Sequence, residues 1–349
     1  MMSVTTAKRV FILGAGASRF AGYPLAIDLM AFLKAEAILE SRTQQIATEV
    51  FYKLHHAELQ LQRVTRKSWD LETLLTHLDI YKTVGKLRIF TGDWCDVDRM
   101  KMSRVIADRF QWHQYKLNSR VWREKESSLP IDVDQQRVKK ISDAWSNFLR
   151  AGDIIISFNW DLLHETILWN ANKWCYVDGY GFRVPRATEE AGRSIIKILK
   201  LHGSVNWVQE EETDWVTEIE FARDFFVGSN PPPREFPPHT TGMDSGRKLI
   251  LPTYLKDISR NRALLSIWRM AQESLRAASE IWVIGYSLNP ADHPARLLLG
   301  TELGRNEAIE TVHLISPSVG GWLEFLARID KRVHHIPKPF EQWVLSESV

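Results

Sequence analysis

Short apolar runs recur along this chain, each passing into a glycine-containing or polar turn and then into a stretch of helical period. "RVFIL" runs into "GAGAS", "DIIISF" into "NWD", "SIIKILK" into "LHGS" and "EIWVI" into "GYS"; "RKLILPTYL" and "TVHLIS" are further runs of this kind. Continuously apolar runs of strand length suit strands buried on both faces, and strands that alternate with helices pair in parallel. The sequence therefore predicts an α/β fold built on a doubly wound, Rossmann-like parallel sheet. The helices are read as "PLAIDLMAFLKAEAILE", "DLLHETILWN", "ALLSIWRMAQESLRAAS", "PARLLLGTELGR" and "GGWLEFLARI". Pro24 suits a first helical turn, and the strand within "SIIKILKLHGSVNW" is expected to end at His202-Gly203.

Residues 41–150 interrupt this alternation. They carry helical patterns such as "SWDLETLLTHLDIYKTV" and "QQRVKKISDAWSNFLRAG" and no convincing strand. The expected organisation is one α/β domain made of residues 1–40 and 151–349, with 41–150 as a helical insertion based at the crevice edge of the sheet. "GSNPPPREFPPHTTGMDSG", 228–246, reads as a long loop, a candidate lid or binding loop.

Charge narrows the partners. The 45 basic and 43 acidic residues leave a net charge of +2, so bulk electrostatics call for neither nucleic acid nor a membrane surface. No apolar run reaches the roughly 18 residues of a membrane span, and the N-terminus lacks a signal-peptide core. The two cysteines, Cys95 and Cys175, exclude a Cys-rich zinc ribbon and argue against a disulfide framework, which fits a reducing cytoplasm.

Ligands of open parallel sheets bind beyond the carboxyl ends of the strands. Four polar stretches fall there: "GAGAS", "FNWD", "LHGS" and "GYS". Gly14 and Gly16 would let the backbone bend and approach a ligand, with the amides of a following helix favouring an anion. Arg19 stands where the third glycine of a hydride-transfer fingerprint would be, and the acidic residue expected about twenty positions further on is missing. Each stretch also has a plain structural reading. Asn159 or Asp161 could cap the next helix, and His202 could fill a loop. Asp292 reads as the cap of the helix after it, the pairs His55-His56 and His334-His335 as solvated or capping residues, and the cysteines as buried thiols. Tyr23 and Tyr286 could stack on a ligand ring or simply pack.

Taken together, Gly14-Ala15-Gly16-Ala17-Ser18 with Gly22-Tyr23-Pro24, then Asn159-Trp160-Asp161, His202-Gly203 and Gly285-Tyr286-Ser287 resemble, in order and spacing, the motifs of a sirtuin-like domain over about 8–40 and 150–330. Two departures, the absent four-cysteine ribbon and Leu25-Ala26-Ile27 in place of the family's Asp-Phe-Arg, resemble the divergent bacterial sirtuin-like domains that hydrolyse NAD in anti-phage defence. The resemblance implies NAD as substrate and no zinc. It implies binding by Gly14, Ala15, Gly16, Ser18, Tyr23, Pro24, Gly285 and Ser287, with Ser316 of "LISPS" at the adenosine half. It also implies a silent state released by homo-oligomerisation or an activating partner protein, with the helical block as the contact surface. For the chemistry, Asn159 could orient water and ribose hydroxyls. Asp161 could hold the nicotinamide carboxamide or offset developing positive charge, and His202 could act as general base. A sirtuin-like protein deacylase or ADP-ribosyltransferase, and a non-catalytic NAD-sensing module, are the alternatives.

Overall fold

Arg9–Leu13 forms the first strand, β1, and all of its residues are buried. It is the centre of the fold in a computed structural model that describes residues 9–34, 41–65, 71–84, 95–121, 133–182, 194–209, 219–221, 246–249, 262–290 and 292–347. Five more parallel strands complete the sheet: β2 (Ile154–Ser157), β3 (Lys197–Lys200), β7 (Glu280–Ile284), β8 (Thr311–Ile315) and β9 (Arg332–Ile336). Their spatial order is β3-β2-β1-β7-β8-β9. The chain thus steps outward from β1 in one direction and then returns to build on its other side, the doubly wound arrangement with its switch point between β1 and β7.

Register sets the site. Leu13 is level with Ser157 and with Ile284, and Ser157 is level with Lys200. The residues after β1, β2, β3 and β7 therefore leave the sheet together at one edge.

Helices α1 (Leu29–Lys34), α2 (Ser41–Thr65), α3 (Leu71–Val84), α4 (Asp96–Val121) and α5 (Gln135–Phe148) lie between β1 and β2 in the chain. Asp134 caps α5 by accepting the Arg137 amide at 3.1 Å, and Trp145 of α5 meets Phe11 of β1 edge-on at 5.5 Å. Several tryptophans serve this packing: Trp145 stacks on Phe148, and Trp282 and Trp343 meet it edge-on. Helix α4 instead packs over the loops that follow β1. Gln114 accepts from the Tyr23 hydroxyl at 2.6 Å, Arg109 donates to the Phe32 carbonyl at 3.1 Å, and Gln111 donates to the Val205 carbonyl at 2.6 Å. The later helices are α6 (Leu163–Asn170), α7 (Arg262–Ala277), α8 (His293–Arg305), α9 (Trp322–Ala327) and α10 (Phe340–Ser346).

Four local expectations are corrected. The glycine turn does not open a helix: two 3-10 turns, Ala15–Ala17 and Arg19–Ala21, follow it, and the helix expected from Pro24 begins as α1 at Leu29 after a further turn at Ala26–Asp28. The apolar run through His202-Gly203 is two strands. β3 ends at Lys200, Gly203 takes φ 75°, and β4 (Gly203–Gln209) joins a separate antiparallel sheet in the order β5-β4-β6. The described start of "RKLILPTYL" belongs to β6 (Gly246–Leu249) of that small sheet, which lies on the opposite side of β4 from β5 (Ile219–Phe221), rather than to a strand of the parallel one. Finally, β9 and α10 extend the fold beyond the last predicted helix. The 228–246 loop lies, up to Asp244 and Ser245, outside the described residues.

Candidate active site

A cavity of about 420 Å³ opens at the switch point, within the usual range for small-molecule sites. Its wall draws on Gly14–Gly16 after β1, Phe158–Asp161 after β2, His202 after β3, and Gly285–Ser287, Asn289 and Asp292 after β7. The segment between β1 and β2 adds Pro24–Ile27, Leu29 of α1, Glu72 of α3 and Phe110 of α4.

The two glycine turns interlock. Gly14 and Gly16 donate to the carbonyls of Ile284 and Gly285, both at 3.0 Å. A Cβ on Gly14 would sit 2.5 Å from Tyr286 Cα, and one on Gly285, at φ 60°, would sit 2.5 Å from the Ala17 nitrogen. Glycine is thus required here by the contact of one turn with the other. The Ala17 and Ser18 amides bond back to Gly14 and Ala15, so the row of helix-start amides expected to face an anion is largely used within the turn.

Asn159 is buried, and its side-chain nitrogen donates to the Gly14 carbonyl at 2.9 Å and to Ser18 Oγ at 3.2 Å. It ties the end of β2 to the β1 turn and is not a helix cap. Asp161 Oδ1 accepts the Leu163 amide at 3.1 Å, and the Ser18 hydroxyl bonds the same carboxylate. Beneath them, the Lys200 ammonium bonds the Asp161 carbonyl and lies 2.8 Å from Glu165 Oε1, with both side chains 1% exposed.

His202 Nε2 lies 2.9 Å from Asp292 Oδ2. The expected role of Asp292 as a side-chain cap is therefore corrected: it stands at the N-cap position of α8 without a capping bond, and its carboxylate faces the imidazole and the Tyr286 hydroxyl, which donates at 3.4 Å. Phe158 stacks on Tyr286 at 4.3 Å and meets the His202 ring at 5.1 Å, fixing the imidazole from the side.

Of the sequence-derived candidates, Gly14, Ala15, Gly16, Pro24, Asn159, Asp161, His202, Gly285 and Ser287 line this cavity. Ser18 is fully buried behind it, supporting Asn159 and Asp161. Tyr23 turns away, its hydroxyl on Gln114 and its ring on Phe110 at 5.7 Å. Ser316 follows β8 and bonds within its own loop and to β9. Glu72, Asn289 and Asp292 were missed as site residues. Asn289 donates to the Glu72 carboxylate, so α3 is tied to the loop after β7 across the cavity wall.

Burial raises the Asp161 carboxyl above the ordinary range, and the Lys200 charge opposes this. His164, buried behind the turn, is pushed down to about 3 by burial and by the Lys200 charge, so it is neutral at ordinary pH. A carboxyl whose folded-state pKa is raised favours the fold while protonated, and that stability is lost as pH rises from the unfolded pKa through the folded one. Asp161→Asn, which keeps an acceptor for Leu163, is therefore expected to raise the denaturation midpoint at pH 8 by roughly 2 °C, with the gain vanishing in acid. Thermal melts of the two proteins across pH check this; a less stable Asn variant at pH 8 overturns it.

No protein-family model matches the chain, and no curated protein matches it. Among solved structures the chain is similar to a mutant of Sir2 homologues in complex with 2′-O-acetyl ADP ribose, at 14% identity and a TM-score of 0.45, covering 98% of this chain and 90% of that one. At that TM-score the likeness assigns neither ligand nor activity. The class of protein defined by its own sheet and cavity is an α/β protein with a six-stranded parallel sheet and a ligand-sized crevice at the switch point.

Proposed function

We propose that this chain hydrolyses NAD to nicotinamide and ADP-ribose. The observation that carries the reading is the His202–Asp292 pair at 2.9 Å, converging with Asn159 and Asp161 on one cavity. In the net reaction water adds to C1′ of the nicotinamide ribose, the C1′–N bond breaks, nicotinamide leaves as a neutral molecule, and one proton is released. The leaving group needs no general acid, so the site must supply an oriented water, a base and stabilisation of an oxocarbenium-like centre.

With Nε2–H donated to Asp292, the other imidazole nitrogen is the basic one, and it is His202 that accepts the proton from water. Asp292 is a positioning residue: it fixes the tautomer and stabilises the imidazolium. Asp161 faces the pyridinium ring or its carboxamide, Asn159 the ribose hydroxyls and water. The cavity's aromatic walls, Phe110, Phe158 and Tyr286, suit a flat cationic ring. Ala15 and the glycine turn serve the pyrophosphate in this reading, with Ser18 supporting Asn159 and Asp161 from behind rather than touching the ligand; Ser287 and Ser316 serve the adenosine side and Pro24 the rim, while Tyr23 only packs beneath it. Zinc has no part in it.

By motif resemblance, the biological role is NAD depletion in anti-phage defence, held silent until a homo-oligomer or activating partner protein forms. The exposed Tyr52, Ile80, Val97 and Met100 of α2–α4 are the candidate contact surface. Residues 41–150 are proposed as the helical insertion of a single NAD-binding domain. One observation favours the non-catalytic module: Asn159 and Asp161 already hold bonds within the fold. A protein deacylase or ADP-ribosyltransferase would move ADP-ribose to an acceptor other than water.

The test is incubation of the full chain with NAD and quantification of both products. Equimolar nicotinamide and free ADP-ribose are expected. Tight NAD binding without nicotinamide release supports the module, ADP-ribose captured on an acceptor supports the transferase, and neither binding nor release overturns the reading.

A further inference from the structure

The cavity wall carries carboxylates on Glu72, Asp161 and Asp292, and among the described residues that line it there is no lysine or arginine. Two of these acids already have tasks. Asp292 faces His202 at 2.9 Å, and Asp161 accepts from the Leu163 amide at 3.1 Å. Glu72 accepts from Asn289, which is itself a wall residue. A carboxylate acceptor and an amide donor therefore stand side by side at the lumen.

That pairing has a chemical match. A carboxylate beside a dinucleotide ordinarily accepts from a ribose hydroxyl, and the same carboxylate repels a phosphate placed on that hydroxyl. The acid usually found at the end of the second strand is absent from its ordinary sequence position. In the fold a carboxylate reaches the crevice from α3 instead, within the helices that separate β1 from β2. Asn289 lies two residues beyond Ser287, on the turn read above as the adenosine side.

We propose that Glu72, held by Asn289, reads the hydroxyls of the adenosine ribose and makes the cavity select NAD against its 2′-phosphorylated counterpart NADP. Glu72 is then a specificity-determining residue supplied by the helical insertion, and the insertion is part of the site rather than only a cover. The inference rests on the NAD reading of the cavity.

The experiment compares kcat/KM for NAD and for NADP in the parent chain and in Glu72→Gln, which keeps the shape and removes the charge. The parent is expected to favour NAD by at least about 100-fold, as a site built to bond a hydroxyl and lined with like charge rejects the modified ligand. In Glu72→Gln that ratio is expected to fall at least tenfold, chiefly through a lower KM for NADP. A latch role for the Glu72–Asn289 bond predicts instead that both dinucleotides suffer equally, with the ratio unchanged. Calorimetric binding of NAD and NADP to His202→Ala, with and without Glu72→Gln, gives the same comparison without turnover. A parent that handles both dinucleotides alike, or a ratio unmoved by Glu72→Gln in both assays, overturns this inference alone. Failure of NAD itself to bind overturns the NAD reading and this inference with it.

Discussion

Replacing His202 or Asn159 by alanine is expected to lower nicotinamide release by two or more orders of magnitude, and the double replacement to cost little more than the worse single. The two side chains reach one cavity from the ends of neighbouring strands, and groups that act as a unit lose their effects non-additively. Asn159 has a structural duty as well. Its amide holds the Gly14 carbonyl and the Ser18 hydroxyl, so Asn159→Ala should also lower stability by about 1–3 kcal/mol through buried groups left unsatisfied. His202→Ala lacks that ambiguity. It leaves the turn intact, and its partner Asp292 retains the Tyr286 hydroxyl. Single-turnover cleavage at saturating NAD, with urea denaturation of each variant, separates the two contributions. A His202→Ala protein that cleaves NAD at the parent rate removes the imidazole as base and shifts the assignment to a binding module. If Asn159→Ala loses stability but keeps its rate, the amide is a tie between β2 and the glycine turn and nothing more.

What could be read from the sequence follows from how local each cause is. The parallel strands were legible because burial on both faces leaves an uninterrupted apolar run, as in Arg9–Leu13 beyond its first residue. β9 escaped because an edge strand with its residues exposed or half-buried carries no such run; "RVHHI" reads as surface. β4 was merged with β3 because apolar residues continue past the turn, and only the positive φ of Gly203 divides them. Gly14 and Gly16 were rightly singled out for a close approach, but the neighbour is the Gly285 turn, far away in sequence. Asp292 shows the same limit from the other side. The position before a helix argued for a cap, a local rule, whereas its carboxylate is turned toward His202 by tertiary packing. Glu72 had no signal at all, since a carboxylate in a first helical turn is ordinary and its place on the cavity wall depends on how α3 docks.

The buried pair under the site gives the other large effect. Lys200→Met is expected to destabilise the chain by about 3–5 kcal/mol, because it leaves Glu165 buried, charged and without its ammonium partner. Lys200→Met combined with Glu165→Leu should recover most of that loss, since an apolar pair of similar volume replaces a desolvated ion pair at little net cost. Recovery of the fold should not recover the site. Lys200 also bonds the Asp161 carbonyl, and its charge opposes the rise that burial imposes on the Asp161 carboxyl. Without it that carboxyl rises further, so the ionised form is lost at a higher pH as the solution is acidified. Provided the Asp161 anion is the form that works, the acid limb of NAD cleavage in the double variant moves to higher pH, and the rate at neutral pH falls at least tenfold. Urea denaturation of the single and double variants measures the first effect, and pH profiles of cleavage from pH 5 to 9 measure the second. A double variant with the parent's stability, rate and acid limb would confine Lys200 to the fold. A double variant as unstable as Lys200→Met would mean that the Asp161 carbonyl, rather than Glu165, is the partner the ammonium cannot leave.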